Sequence, residues 1–449
     1  MRIAFFEDAQ ASSFAPIALM RPVFELLCGQ FSLRERCIRF LSVTEWGVVA
    51  RPYLAETYQE EHPESRVNDW HWLAQGRTLL INGRWLPTER GLEQLRNADG
   101  DSVGMSGNTV AFIVLDDGEA SLLDDQQWDE SLVEIAKARK SVSADGVLVA
   151  HPWDLIDHNV EMLIADFGRR PMPQSQTAMG PDVPLWPHSS LGPFGKLGHQ
   201  VAVLGDARQV FVDPTAQIDP FVVIDARQGP VSVDVGAKIQ AFTRLEGPCH
   251  IGAGSQIFRA NIKAGTTIGP VCRIGGEIEA SIIHGYTNKY HDGFLGHSYV
   301  CSWVNLGALT SNSDLKNDYS QVKVPLSGEL IDSGSSKVGC FIGDHSKTAL
   351  CSLFNTGSSI GVMTMVLPGG ELAPKHLPSF TRVWHGGIDD SLSLEACLAT
   401  AAIAMSRRDK ELTPAQTRLI RHVHKLTSDE RQHAIERLAQ KRGRVKSHG

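Results

Sequence analysis

The sequence predicts an α/β domain, then a parallel β-solenoid, then a short α-helical C-terminus. Three observations carry this. Apolar runs of strand length alternate with helical spacing up to about residue 190. From about Val201 an apolar, mostly β-branched residue recurs every six positions. Beyond Leu392 the chain turns alanine-rich and amphipathic.

The α/β domain, residues 1–190, opens on Ile3–Phe6, a short apolar strand ending in Glu7 and Asp8. A polar, glycine-free loop follows at Ala9–Ser13. Arg21-Pro22-Val23 leads through Gly29 into a helix at Leu33–Arg36. Thr78–Gly83, Val110–Leu115 and Val147–Val149 read as buried strands, and 124–140 has helical spacing. Alternating strands and helices predict a mostly parallel, layered sheet with its ligand at the carboxyl ends of the strands. Glu7, Asp8, Asn82 and Gly83 lie at such ends. A helix opens at Pro152 and runs to about Phe167, and the proline-rich stretch 171–193 is the linker.

The solenoid spans 195–385. Ile251 and Ile257, then Ile262, Ile268 and Ile274, keep the six-residue step, as do Ile342, Thr348, Phe354, Ile360 and Val366 after a break. Three such hexads make one coil, and stacked coils bury a continuous core. The polar interruption 311–335 loops out, and such insertions collect on one face, often the binding face. Residues 390–449 are helical. Thr413-Pro414 is an N-cap with proline at the first helical position, and Thr427–Glu430 opens a final helix. Lys441, Arg442, Arg444 and Lys446 form a basic, solvated end.

At 449 residues the chain holds two or three cores. A net charge of −8 argues against nucleic acid as the main partner. The eight cysteines contain no CxxC pair, so neither a zinc knuckle nor a disulfide framework is expected, and reduced cytoplasmic thiols are the simple reading. Arg2–Phe6 lacks the pattern of a signal peptide, and no apolar run has the length of a membrane span.

Chemistry concentrates between Glu277 and Asn312. His291 sits among small and polar residues, with Asn288, Asn305 and Asn312 around it. Acyl transfer from a thioester to an amine needs a base, donors for the tetrahedral oxyanion, and polar groups that orient the acceptor. His291 suits the first task, since its ordinary pKa lies near neutrality. Backbone N–H groups around Gly293 or Gly307, or the Asn305 amide, suit the second, and Asn288 and Asn312 the third. Two other readings stand beside this one: His291 as a turn residue, and zinc held by His284, His291 and His297 across a subunit interface. Solenoid faces are flat, so trimers form readily and leave clefts between subunits.

This stretch resembles the acetyltransferase half of the bifunctional N-acetylglucosamine-1-phosphate uridylyltransferase/glucosamine-1-phosphate acetyltransferase family. Glu277, His291 fourteen residues on, Leu295-Gly296 and Asn305 keep that family's spacing. Asn312 matches a further asparagine if a two-residue gap is allowed. The family's acceptor-binding lysine is Glu279 here, and its tyrosine is Phe294. The acid reverses the local charge and points to an acceptor other than glucosamine-1-phosphate, with Lys289 as a replacement cation. The N-terminal half resembles the uridylyltransferase half more loosely, through Ile3–Phe6, Arg21–Gly29 and Thr78–Arg84. Ala9–Ser13 replaces the family's glycine-rich phosphate loop, and Arg84 stands where a magnesium-binding aspartate is expected. Three readings stay open. Arg84 binds phosphate in place of a metal, Glu7 and Asp8 hold the metal, or the domain binds a sugar nucleotide and transfers nothing.

The likeness covers about residues 1–385 and is strongest to the family's related sugar nucleotidyltransferase branch. It implies a nucleotidyltransferase-like, Rossmann-like N-terminal domain and a left-handed parallel β-helix built of hexapeptide repeats. It implies acetyl transfer from acetyl-CoA to an amino sugar or its phosphate, with His291 as general base and Asn305 beside it. Glu277, Glu279, Asn288, Lys289, Phe294 and Asn312 become acceptor-binding candidates. Glu7, Asp8, Arg21, Asn82, Gly83 and Arg84 become nucleotide-binding candidates, with Mg²⁺ for that domain. UDP-N-acetylglucosamine chemistry, a homotrimer, and sugar phosphate, nucleotide and CoA as small-molecule partners follow from the same likeness. The alternative is a non-catalytic, sugar-nucleotide-binding trimeric scaffold.

Overall fold

The structure, a computed structural model, describes residues 1–41, 43–123, 128–169, 200–326, 328–385 and 387–446. The expected linker at 171–193 lies outside these, as do the side chains of the basic end.

The N-terminal domain is built on a seven-stranded sheet. Its order is Lys140–Ser143, Ser102–Ser106, Thr109–Leu115, Thr78–Asn82, Arg2–Phe6, Glu45–Val49 and Arg66–Val67. Thr109–Leu115 runs antiparallel to both neighbours, and the other pairings are parallel. The central strands carry apolar residues on both faces because helices cover both. The helix Leu33–Phe40 is started by a capping box between Ser32 and Glu35.

Three expectations are corrected. Ala9–Phe14 is a 3₁₀ helix, because the Asp8 carboxylate caps it by accepting the Gln10 N–H. Gly146–Leu148 lies outside the main sheet, pairs only with Trp85–Pro87, and leaves Val147 exposed. Of the 124–140 segment, Trp128–Lys137 is helix, while Lys140 begins an edge strand.

From Ala202 the chain winds into a parallel β-helix. Strands one coil apart pair in parallel register, Val231 with Cys249, Cys249 with Thr266, and Cys340 with Ser358. The six-residue period thus becomes an interior column. Ile251, Ile257, Ile262, Ile268 and Ile274 are each 0% exposed, in one core with Ile342, Phe354 and Ile360. Ser311–Asn312 still belongs to the helix, paired with Leu353–Phe354, so the insertion starts later than expected. It forms the hairpin Lys323–Leu326/Glu329–Asp332.

That hairpin does not rim an open face. Val322, Val324 and Leu326 join one apolar core with Phe14, Ile17, Leu27, Trp153 and Met162 of the N-terminal domain and with Ile282, Tyr299 and Phe341 of the β-helix. Polar bonds fix the docking. The Tyr299 hydroxyl accepts the Leu27 N–H at 2.8 Å, and Asn159 accepts the Gly29 N–H at 2.6 Å while donating to the Gly265 carbonyl at 2.8 Å. The C-terminal helices Leu394–Ser406 and Pro414–Leu426 pack Leu398, Leu419, Ile420 and Val423 against Val362, Met363 and Phe380 of the β-helix and Leu54 of the N-terminal domain. Among the described residues no helix is long and apolar enough to cross a membrane.

Candidate functional site

His291 lies on a corner of the β-helix, between the paired segments Asn288–Lys289 and Phe294–Gly296. Its ring meets Tyr290 edge-on, 4.9 Å between centroids. Among the described residues no side chain hydrogen-bonds that ring, so both nitrogens are left to a cavity of about 460 Å³. The cavity wall includes Asn288 and Asn305, which stack on successive coils with the Asn288 amide donating to Asn305 Oδ1 at 3.4 Å. The structure therefore brings Asn288, His291 and Asn305 together. Of the expected oxyanion donors, the Gly307 N–H is already taken by the Thr348 carbonyl and hydroxyl. The Asn305 amide nitrogen remains.

The opposite wall went unread in the sequence. Arg273, from the coil below, and Arg407 and Arg408, from the end of the Leu394–Ser406 helix, converge on the cavity. Arg408 donates to Asn288 Oδ1 at 2.9 Å, while its Nε is buried without a partner. Burial, and then Arg273 and Arg407, push its pKa below the usual guanidinium range. Among the described residues no carboxylate forms an ion pair with any of the three. A cluster of like charges without counter-charge is a ready anion site. The Arg-Arg pair just beyond an amphipathic helix was the one visible signal.

The other candidates lie elsewhere. Glu277 pairs with Lys263 at 2.6 Å, and Glu279 with Lys263 at 3.1 Å and Lys337 at 3.5 Å. The reversed charge at 279 is thus compensated on the spot. The Phe294 N–H donates to the Ser311 hydroxyl. Asn312 bridges to Gly296 through both amide atoms, each at 3.0 Å, and closes the gap between coils. Lys289 is 2% exposed and its Nζ donates to the carbonyls of Gly275 and His291, both at 2.9 Å. Burial pushes its pKa down to about 8. It points into the coil and does not replace a surface cation. The zinc reading is also corrected. His284 is held in the domain interface by the Glu25 carbonyl, and His297 is paired with Asp314 at 2.7 Å, so neither can reach His291.

In the N-terminal domain each strand-end carboxylate is filled by an arginine. Glu7 takes Arg51 Nη2 at 3.0 Å, Arg51 Nε at 3.1 Å and the Val23 N–H at 2.9 Å. Asp8 takes Arg84 Nε at 2.7 Å, Arg84 Nη2 at 2.6 Å and the Asn82 amide at 2.9 Å. Arg84 Nη1 goes to the Val149 carbonyl, so the guanidinium is engaged along its whole edge. The Gly83 N–H donates to the Phe6 carbonyl, and Arg21 turns away to Asp344 and Ser302 of the β-helix. A hard cation needs free carboxylate oxygens. These residues do not fit Mg²⁺, and among the described residues no three His, Cys, Asp or Glu side chains cluster to hold a metal.

Residues 3–170 match the family described as Sugar nucleotidyl transferase. A bifunctional sugar-1-phosphate nucleotidylyltransferase/acetyltransferase of Sulfurisphaera tokodaii is 34% identical over 93 residues, 21% of this chain and 23% of that protein. Over that stretch the chain resembles this bifunctional family. The bifunctional protein GlmU of Jannaschia sp. is 36% identical over 104 residues, 22% of each protein. The uncharacterized acetyltransferase YaiX of Escherichia coli O6:K15:H31 is 29% identical over 165 residues, 36% of this chain and 66% of that protein. The matches span less than a quarter of each bifunctional relative's own length.

Proposed function

We propose that the β-helix transfers an acetyl group from acetyl-CoA to an amino sugar or its phosphate, and that the N-terminal domain forms or binds a nucleotide sugar. The observation that carries this is the His291 cavity, with an unpartnered imidazole and the Asn305 amide on one wall and three uncompensated arginines on the other. His291 takes a proton as the acceptor nitrogen attacks the thioester carbonyl. The Asn305 amide steadies the oxyanion, the C–S bond then breaks, and the proton passes to the departing thiolate. The arginines hold the phosphates of CoA or of the acceptor. The reading includes a cytoplasmic homotrimer. Phe221 and Phe242, 52% and 71% exposed and stacked 5.6 Å apart on neighbouring coils, support an interface there.

Thiol release from acetyl-CoA, measured over amino sugars and their 1-phosphates, tests the reading. Arg408→Ala is expected to raise the KM of the phosphate-bearing substrate about tenfold, the loss of one charged hydrogen bond of ~1.5 kcal/mol. No thiol release with any acceptor would exclude the reaction.

The arginine pairs at Glu7 and Asp8 favour a second reading of the N-terminal domain, in which it binds a nucleotide sugar without making one. Pyrophosphate release from NTP, sugar-1-phosphate and Mg²⁺ is then expected to be absent, while UDP-sugar binding is saturable and unchanged by chelator. Metal-dependent pyrophosphate release would overturn it.

A further inference from the structure

A second cavity, of about 520 Å³, opens where the N-terminal domain, the β-helix and the C-terminal helices meet. Its volume is that of a small-molecule site, and domain junctions are where such sites form. It is separate from the His291 cavity, and no residue lines both.

Several acceptors in the cavity have no donor. Of its three lining arginines, Arg21 is used by Asp344 and Arg34 by Glu25, while Arg39 lies over the Phe31 ring. Asp344, 2% exposed, accepts on Oδ1 from Arg21 and from the Ser302 N–H, and its Oδ2 has no partner. His345, 8% exposed, has an unpartnered Nδ1. Burial, with Lys347 and Arg21, pushes its pKa down to about 3, so the ring is neutral and one nitrogen is an acceptor. The Thr57 hydroxyl is buried without a partner across the cavity. Glu61, exposed on the same wall, has no ion pair among the described residues. Orphaned buried acceptors cost free energy unless something donates to them.

An apolar shelf runs beside these groups. Trp303 lies between Tyr286, 4.4 Å away at 13°, and His345, 6.1 Å away at 12°. A ring that is apolar on one side and rich in O–H and N–H donors on the other satisfies both surfaces. An ammonium satisfies the carboxylates better than a neutral amide does.

We propose that this junction is a binding site for an amino sugar, its ammonium and hydroxyls held by Asp344, Glu61, His345 and Thr57 and its carbon face laid along the edge of the Tyr286–Trp303–His345 stack. The site does not depend on the acyl-transfer reading. Because its walls come from three segments of the chain, the sugar also clamps them together and stabilises the folded state by mass action.

Calorimetric titration of the full-length His291→Ala protein with glucosamine, without CoA, tests this. One saturable site is expected, with N-acetylglucosamine binding less tightly, and with an increase in Tm at saturation. Glu61→Gln and Trp303→Leu should each weaken glucosamine about tenfold, ~1.4 kcal/mol, while Arg408→Ala leaves the affinity unchanged. Glu61 is exposed and, among the described residues, in no ion pair, its carboxylate bonded to the Gln416 side chain, so its variant keeps the test sound should Trp303→Leu misfold. Absence of saturable glucosamine binding would overturn the proposal. So would an affinity lost with Arg408→Ala but kept in the other two variants. Inorganic phosphate binding that depends on Trp303 would overturn it in favour of an anion site.

Discussion

His291→Asn is expected to lower acetyl-transfer kcat by about 10²–10⁴, the usual contribution of a positioned general base, with thermal stability unchanged. The side chain is exposed, touches Tyr290 alone among ring neighbours and takes no hydrogen bond from the coil. Its backbone carbonyl, not its ring, holds Lys289 Nζ, and asparagine keeps that carbonyl. Loss of activity can therefore be assigned to chemistry. A variant that retains more than about a tenth of the wild-type rate would place the base elsewhere.

Asp166→Ala is expected to cost about 3–5 kcal/mol of stability, read as a lower midpoint in thermal or urea unfolding. Arg36 and Asp166 are both fully buried and meet through two parallel bonds of 2.8 Å. Asp166 also accepts the Gln30 N–H at 2.9 Å. Removing the carboxylate leaves a buried guanidinium with no counter-charge and only the Cys28 carbonyl as acceptor, and takes the acceptor of the Gln30 N–H as well, which costs far more than the pair is worth in place. Gly29 belongs to the same arrangement. It has φ +79°, and a Cβ there would lie 2.4 Å from Asp166 Oδ2. A loss under about 1 kcal/mol would mean that water reaches Arg36 and solvates it.

The β-helix was the most legible part of the sequence, because a period of six leaves one residue per face and every coil repeats the same demand. Ile251 and Ile274 declare their burial without knowledge of any distant partner. Thr413-Pro414 was legible for a similar reason, since a cap is local, and the structure shows its capping box with Gln416. Val147 misled because a short apolar run does not state how many neighbours it will have. The arginine pairs at Glu7 and Asp8 were invisible. Arg51 and Arg84 lie far from their acids in sequence, and only the strand order brings them across. The same holds for the candidate site. His291, Asn288 and Asn305 share a corner by periodicity, whereas Arg407 and Arg408 arrive through helix packing that no local pattern encodes.

The apolar seam that holds Phe14, Trp153, Tyr299, Phe341 and Val324 together has a consequence for how the chain can be cut. A β-helix shorn of its partner would present Ile282, Tyr299 and Phe341 to water, a greasy wall along stacked coils of the kind that drives aggregation. The partner alone would expose Phe14, Ile17 and Trp153 in return. Neither half is expected to be soluble as an excised fragment, and the two should melt in a single cooperative step. A lineage that lost one activity could not discard the domain that performed it, and an inert domain would persist as the cover its neighbour requires.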